Sequence, residues 1–105
     1  MIAIIDYDAG NIKSVEKALL FLGQEVEVTG DKETILAADK VILPGVGAFG
    51  DAMATIRERG LEDVICEVAD KGTPFLGICL GLQLLFERCD EAPGVQGLGI
   101  LKGEI

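Results

Sequence analysis

A chain of 105 residues, half of them hydrophobic, has the length of one domain and enough apolar surface for a packed core. Its formal charge of −9 argues against polyanionic partners, so neither nucleic acid nor an anionic membrane surface is expected. No apolar run is long enough to span a bilayer, and the start of the chain has no signal-peptide pattern.

Ile2–Ile5 opens the chain as an all-apolar strand, followed by a loop of Asp6, Tyr7, Asp8, Ala9, Gly10 and Asn11. Ile12, Val15, Leu19 and Leu22 recur at helical spacing, with Asn11 as a candidate N-cap and Gly23 as a stop. Glu25–Val28 alternates, which predicts a strand near a sheet edge, and Thr34–Ala38 suits a brief helix. Val41–Leu43 is apolar again and leads into Pro44-Gly45-Val46-Gly47, a loop before a helix opened by Asp51. Leu61, Val64, Ile65, Val68 and Ala69 predict a further helix that ends at Lys71-Gly72.

Phe75–Ile78 predicts a last buried strand, and Leu80–Glu87 a helix that offers Leu82, Leu84, Leu85 and Phe86 to the core. Gly94–Gly99 reads as a loop, and 100–105 as a strand that begins where the chain stops, which suggests a truncated domain. Apolar strands alternating with helices predict an α/β fold: a doubly wound, mostly parallel sheet in a three-layer α/β/α, flavodoxin-like arrangement. Residues 1–105 form a single domain in this reading.

In a parallel sheet the strand carboxyl ends share one edge, where such folds bind ligands. The loop at 6–11, Pro44–Gly47 and Cys79 all meet there. Gly77-Ile78-Cys79-Leu80-Gly81 has the spacing of a nucleophile elbow, with cysteine in the place of the usual serine. A side chain two residues away on either side would collide at such a corner, hence glycine at both positions. A helix N-terminus behind the sulfur favours the thiolate, and the Leu80 amide can donate to an oxyanion. Val46 or Gly47 can supply a second amide, because glycines let backbone approach a ligand closely. A buried structural cysteine is the plainer reading of such a short motif; its position directly after an apolar strand favours chemistry. Gln83 lies one helical turn beyond Cys79, on the same face. Cys66 and Cys89 read as structural. With no CxxC spacing and an odd count, the three cysteines predict free thiols in a reducing cytoplasm and no metal.

Together "GICLGLQLLFE", "LPGVGAFGDAM" and "IIDYDAGNIKSV" resemble the class I, triad-type glutamine amidotransferases over the whole chain. "PGVG" and "EAPGVQGLGIL" are similar to one branch, the glutaminase subunits of imidazole glycerol phosphate synthases, which serve histidine biosynthesis. The resemblance implies that Cys79 attacks L-glutamine to form a thioester, and that Leu80 with Gly45-Val46-Gly47 supplies the oxyanion donors after a peptide flip. It implies that Gln83, Gly45 and Glu91 contact the substrate. It also implies that Asn11 faces a (β/α)₈-barrel cyclase in a heterodimer that receives the ammonia. No cofactor is implied. The family's triad needs a histidine and a glutamate from a later His-x-Glu segment, and this chain has no histidine. It therefore resembles the amino-terminal half, and the 105 residues alone are expected to be inactive. Two other readings fit the same pattern: a non-catalytic binding or scaffold module, and a DJ-1/PfpI-type cysteine-elbow protein. Half of a doubly wound sheet leaves an edge and apolar faces open, so self-association is expected as well.

Overall fold

The computed structural model describes residues 1–7 and 12–105. Four strands form one parallel sheet: β1 (Ile2–Ile5), β2 (Val26–Thr29), β3 (Lys40–Leu43) and β4 (Phe75–Gly77), in the spatial order β2-β1-β3-β4. The helices are α1 (Ile12–Phe21), α2 (Lys32–Ala37), α3 (Phe49–Glu58), α4 (Glu62–Asp70) and α5 (Leu80–Leu84). The predicted fold class is therefore the observed one.

The two faces of the sheet are covered unequally. On one, Ile35 of α2, Phe49, Met53 and Ile56 of α3, and Val64, Ile65 and Val68 of α4 pack with Ala3, Ile5, Val41 and Leu43. Among the described residues, the other carries the single helix α1, whose Ile12, Val15 and Leu19 lie against Ile2, Ile4 and Ile42. Because α1 and α2 lie on opposite faces, the chain changes direction between β1 and β3. The carboxyl ends of those two strands open the crevice that doubly wound folds use for ligands.

Several local expectations are corrected. β4 is an edge strand with Leu76 55% exposed, so it is not buried on both faces as its apolar run suggested. Leu22 lies beyond the end of α1 and is exposed. α3 begins at Phe49, with Asp51 in its first turn, where a carboxylate favours the helix dipole. α2 begins earlier than expected, after Asp31, whose carboxylate accepts from the Thr34 amide at 3.0 Å.

The largest correction concerns the end of the chain. α5 stops at Leu84 rather than Glu87, and 100–105 forms no strand. The carbonyls released at the end of α5 are taken up by amides of the segment 98–101. Leu98 N–H donates to the Leu84 oxygen (2.8 Å), Leu101 to Leu85 (2.8 Å) and Gly99 to Phe86 (3.3 Å). Satisfying these carbonyls from another segment ends the helix as effectively as a C-cap does.

Candidate functional site

β3 and β4 pair in register through Leu43 opposite Gly77, and the Ile78 amide still donates to the Leu43 oxygen at 3.0 Å. One residue later the backbone turns sharply: Cys79 has φ 54° and ψ −121°. It is the one non-glycine residue with positive φ among the described residues. Such a conformation costs a side-chain-bearing residue about 1–3 kcal/mol and persists only where its surroundings impose it. Here the constraint comes from the strand before it and from α5 immediately after it.

Both glycines of the motif have a steric cause. A Cβ at Gly77 would lie 2.8 Å from Leu82 Cα and 2.9 Å from its nitrogen, in the backbone of α5. A Cβ at Gly81 would enter the Leu43 carbonyl, 2.8 Å from its carbon. α5 thus lies directly against the end of β3, and the pair of glycines sets that distance.

The thiol of Cys79 is exposed, whereas Cys89 is buried in the core and Cys66 is partly buried on α4. Burial pushes the Cys66 thiol up, and the carboxylates of Glu62, Asp70 and Asp63 add to that effect. Cys79 opens onto a depression of about 560 Å³ lined by Gly45, Val46, Gly47, Leu80, Leu82, Gln83, Glu91 and Ile105. Every residue singled out from the sequence for the nucleophile, oxyanion and substrate positions therefore lines one space. Asn11, the residue expected to face a partner, lies outside the described residues. Leu82, expected in the core, is 47% exposed and forms part of this wall, because the short α5 turns that side outward.

One contact defines the state of the site. The Leu80 amide donates to the Gly45 carbonyl at 3.1 Å. The donor expected for an oxyanion is thus engaged by the neighbouring loop. That carbonyl belongs to the Gly45–Val46 peptide, whose N–H points the opposite way because a trans peptide is planar. Rotating this single peptide plane would free Leu80 N–H and bring Val46 N–H to the same side.

Two residues at or beside the site were not singled out as site residues from the sequence. Ile105 lines the depression from a segment expected to be a strand. Tyr7, at the end of β1, is 2% exposed, and its hydroxyl donates to the Pro44 carbonyl at 2.6 Å. Burial pushes its phenol up to about 12.

Comparison with known proteins agrees with this geometry. The family model "Glutamine amidotransferase class-I" matches residues 3–92. Imidazole glycerol phosphate synthase subunit HisH of Bacillus cereus (strain G9842) is 63% identical over the whole chain, which covers 50% of that relative. The corresponding HisH of Moorella thermoacetica is 60% identical over 99% of the chain, again covering 50% of the relative. HisH 1 of Methanococcus maripaludis is 52% identical over the whole chain, covering 53% of that protein. The chain thus spans about half the length of these relatives. Among solved structures, a glutamine amidotransferase superposes with a TM-score of 0.82 at 25% identity, covering 99% of this chain and 55% of that one. A peptidase E protein from Listeria monocytogenes shares the fold alone, with a TM-score of 0.70 at 17% identity over 82% of this chain and 49% of that one. A family match across most of its length and an exposed cysteine elbow lead to one conclusion: the chain belongs to the class I glutamine amidotransferase family.

Proposed function

We propose that these 105 residues, as the amino-terminal part of a glutamine amidotransferase domain, carry the nucleophile half of a glutaminase site. Cys79 Sγ attacks the carboxamide carbon of L-glutamine, and collapse of the tetrahedral adduct breaks the C–N bond. The products are a glutamyl thioester and ammonia; water then hydrolyses the thioester to glutamate. Leu80 N–H and, after rotation of the Gly45–Val46 peptide, Val46 N–H hold the oxyanion, with Gly47 allowing the loop its shape. Gln83, Gly45 and Glu91 contact the substrate. The observation that carries this reading is the exposed Cys79 at φ 54°, with two backbone amide sources beside it.

Protonating the leaving ammonia and activating water need a base such as imidazole, and this chain has no histidine. The base therefore comes from outside these 105 residues. The relatives are named as subunits of imidazole glycerol phosphate synthase, which supports assembly with a further subunit. In this reading that partner is a (β/α)₈-barrel cyclase in a cytoplasmic heterodimer, which uses the ammonia in a lyase reaction of histidine biosynthesis. Asn11 faces that partner in this reading.

The test is labelling by a chloroketone analogue of glutamine, followed by mass spectrometry. Modification of Cys79 that L-glutamine suppresses is expected, while ammonia release by the chain alone stays at background. Labelling that ignores glutamine, or falls equally on Cys66, would overturn the proposal. It would favour the DJ-1/PfpI-type cysteine-elbow reading instead.

A further inference from the structure

We propose that Tyr7 is the positioning residue of the oxyanion segment, fixing the Pro44–Gly45 backbone so that movement is confined to the next peptide. This rests on the glutaminase reading above.

The observations are local and independent of Cys79. Pro44 and Gly45 are buried, whereas Val46, Gly47 and Ala48 are exposed, so the segment passes from fixed to free within one residue. The only tyrosine of the chain sits beneath that boundary. Its hydroxyl donates to the Pro44 oxygen at 2.6 Å, and a Cβ at Gly45 would lie 2.5 Å from the same hydroxyl. The same Cβ would lie 2.9 Å from the Gly81 nitrogen and 3.1 Å from Leu80 Cβ, so Tyr7 on one side and the start of α5 on the other leave room only for glycine. With its pKa raised by burial, the phenol stays a neutral donor throughout the physiological range.

Space lies on both sides of the exposed part. Val46 and Gly47 border the depression at Cys79, and they also border a second one of about 180 Å³ lined by Tyr7, Ala48, Asp51, Ala52 and Thr55. A loop with room on both sides can take up unproductive arrangements as readily as the two useful ones. The bond from Tyr7 falls on the peptide preceding the one that must rotate. It is compatible with the Gly45 carbonyl on Leu80 and with the rotated form, and it excludes arrangements in which the whole segment lifts away from Cys79.

The test compares wild type and Tyr7→Phe by two readouts. The first is the rate of Cys79 alkylation by the glutamine chloroketone divided by that by iodoacetamide, which needs no oxyanion site. Losing one hydrogen bond is expected to lower this ratio about five-fold. The second is hydrogen exchange, where the Leu80 amide is expected to speed up about five-fold while those of Ile4 and Ile42 do not change. A purely structural tyrosine would move both reagents and all these amides together. If wild type shows no preference for the chloroketone, the glutaminase reading itself fails. If wild type shows the preference and Tyr7→Phe keeps it, the anchor alone is overturned. Loss of cooperative unfolding in the variant would assign the hydroxyl to the core and overturn the anchor too.

Discussion

Replacing Cys79 by glycine removes the side chain from the strained corner and is expected to stabilise the protein while abolishing its chemistry. With φ 54° and ψ −121°, Cys79 occupies a region that costs a residue with a Cβ about 1–3 kcal/mol. The thiol is exposed, so little packing is lost with it. Glycine raises the entropy of the unfolded chain, which offsets roughly 0.4–1 kcal/mol. The net expectation is a gain of about 1 kcal/mol, or a rise in Tm of roughly 4–8 °C for a domain near this size. Cys79→Ala keeps the Cβ and the strain, so it isolates the effect and should unfold close to wild type. Urea titrations of all three proteins, with equal slopes, would measure it. If Cys79→Gly unfolds at or below the midpoint of Cys79→Ala, the corner stores no strain and the elbow interpretation of its geometry is wrong.

Other expectations follow from the same geometry. Gly81→Ala pushes a Cβ into the Leu43 backbone, which cannot yield as a flexible side chain would. A loss of about 3 kcal/mol is expected by urea unfolding, whereas Gly50→Ala, whose Cβ would sit 3.6 Å from Ala92 Cβ, should change stability by less than about 1 kcal/mol. With a single tyrosine and no tryptophan, tyrosinate absorbance reports Tyr7 directly, and its titration should centre near 12 rather than 10. The folded pKa lies above the unfolded one, so the contribution of Tyr7 to stability is complete below about pH 10 and is lost as pH rises towards 12. Tyr7→Phe should flatten that part of the stability profile. Timed alkylation of the native chain should modify Cys79 first, Cys66 slowly and Cys89 only on unfolding, as peptide mapping would show.

What the sequence revealed was whatever depends on local pattern. Buried strands such as Ile2–Ile5 and helices with a regular apolar stripe, such as α4, follow from spacing because burial on one or both faces sets which positions are apolar. The elbow was legible for a sharper reason. Gly77 and Gly81 are required by backbone atoms only a few residues away or on the adjoining strand, so a short motif contains its own explanation. What escaped depended on which neighbour an element receives. Leu76 and Leu82 look like core residues by type, yet β4 is an edge and α5 is cut short by the amides of Leu98, Gly99 and Leu101. Ile100 to Ile105 has the composition of a strand, but its backbone hydrogen bonds are with Leu85, Glu87, Arg88 and Asp90, just beyond α5. Tyr7 falls inside the "IIDYDAGNIKSV" stretch, yet its role was not legible there, since its partner is the Pro44 carbonyl 37 residues away.

The central claim is that one peptide plane beside Cys79 converts an occupied amide into a pair of oxyanion donors. A crystal structure of the chain with an aldehyde analogue of glutamine bound to Cys79 as a hemithioacetal tests it directly. Leu80 N–H and Val46 N–H are both expected within hydrogen-bond distance of the hemithioacetal oxygen, with Tyr7 still on Pro44. An adduct whose oxygen points to solvent, with the Gly45 carbonyl still on the Leu80 amide, would contradict it.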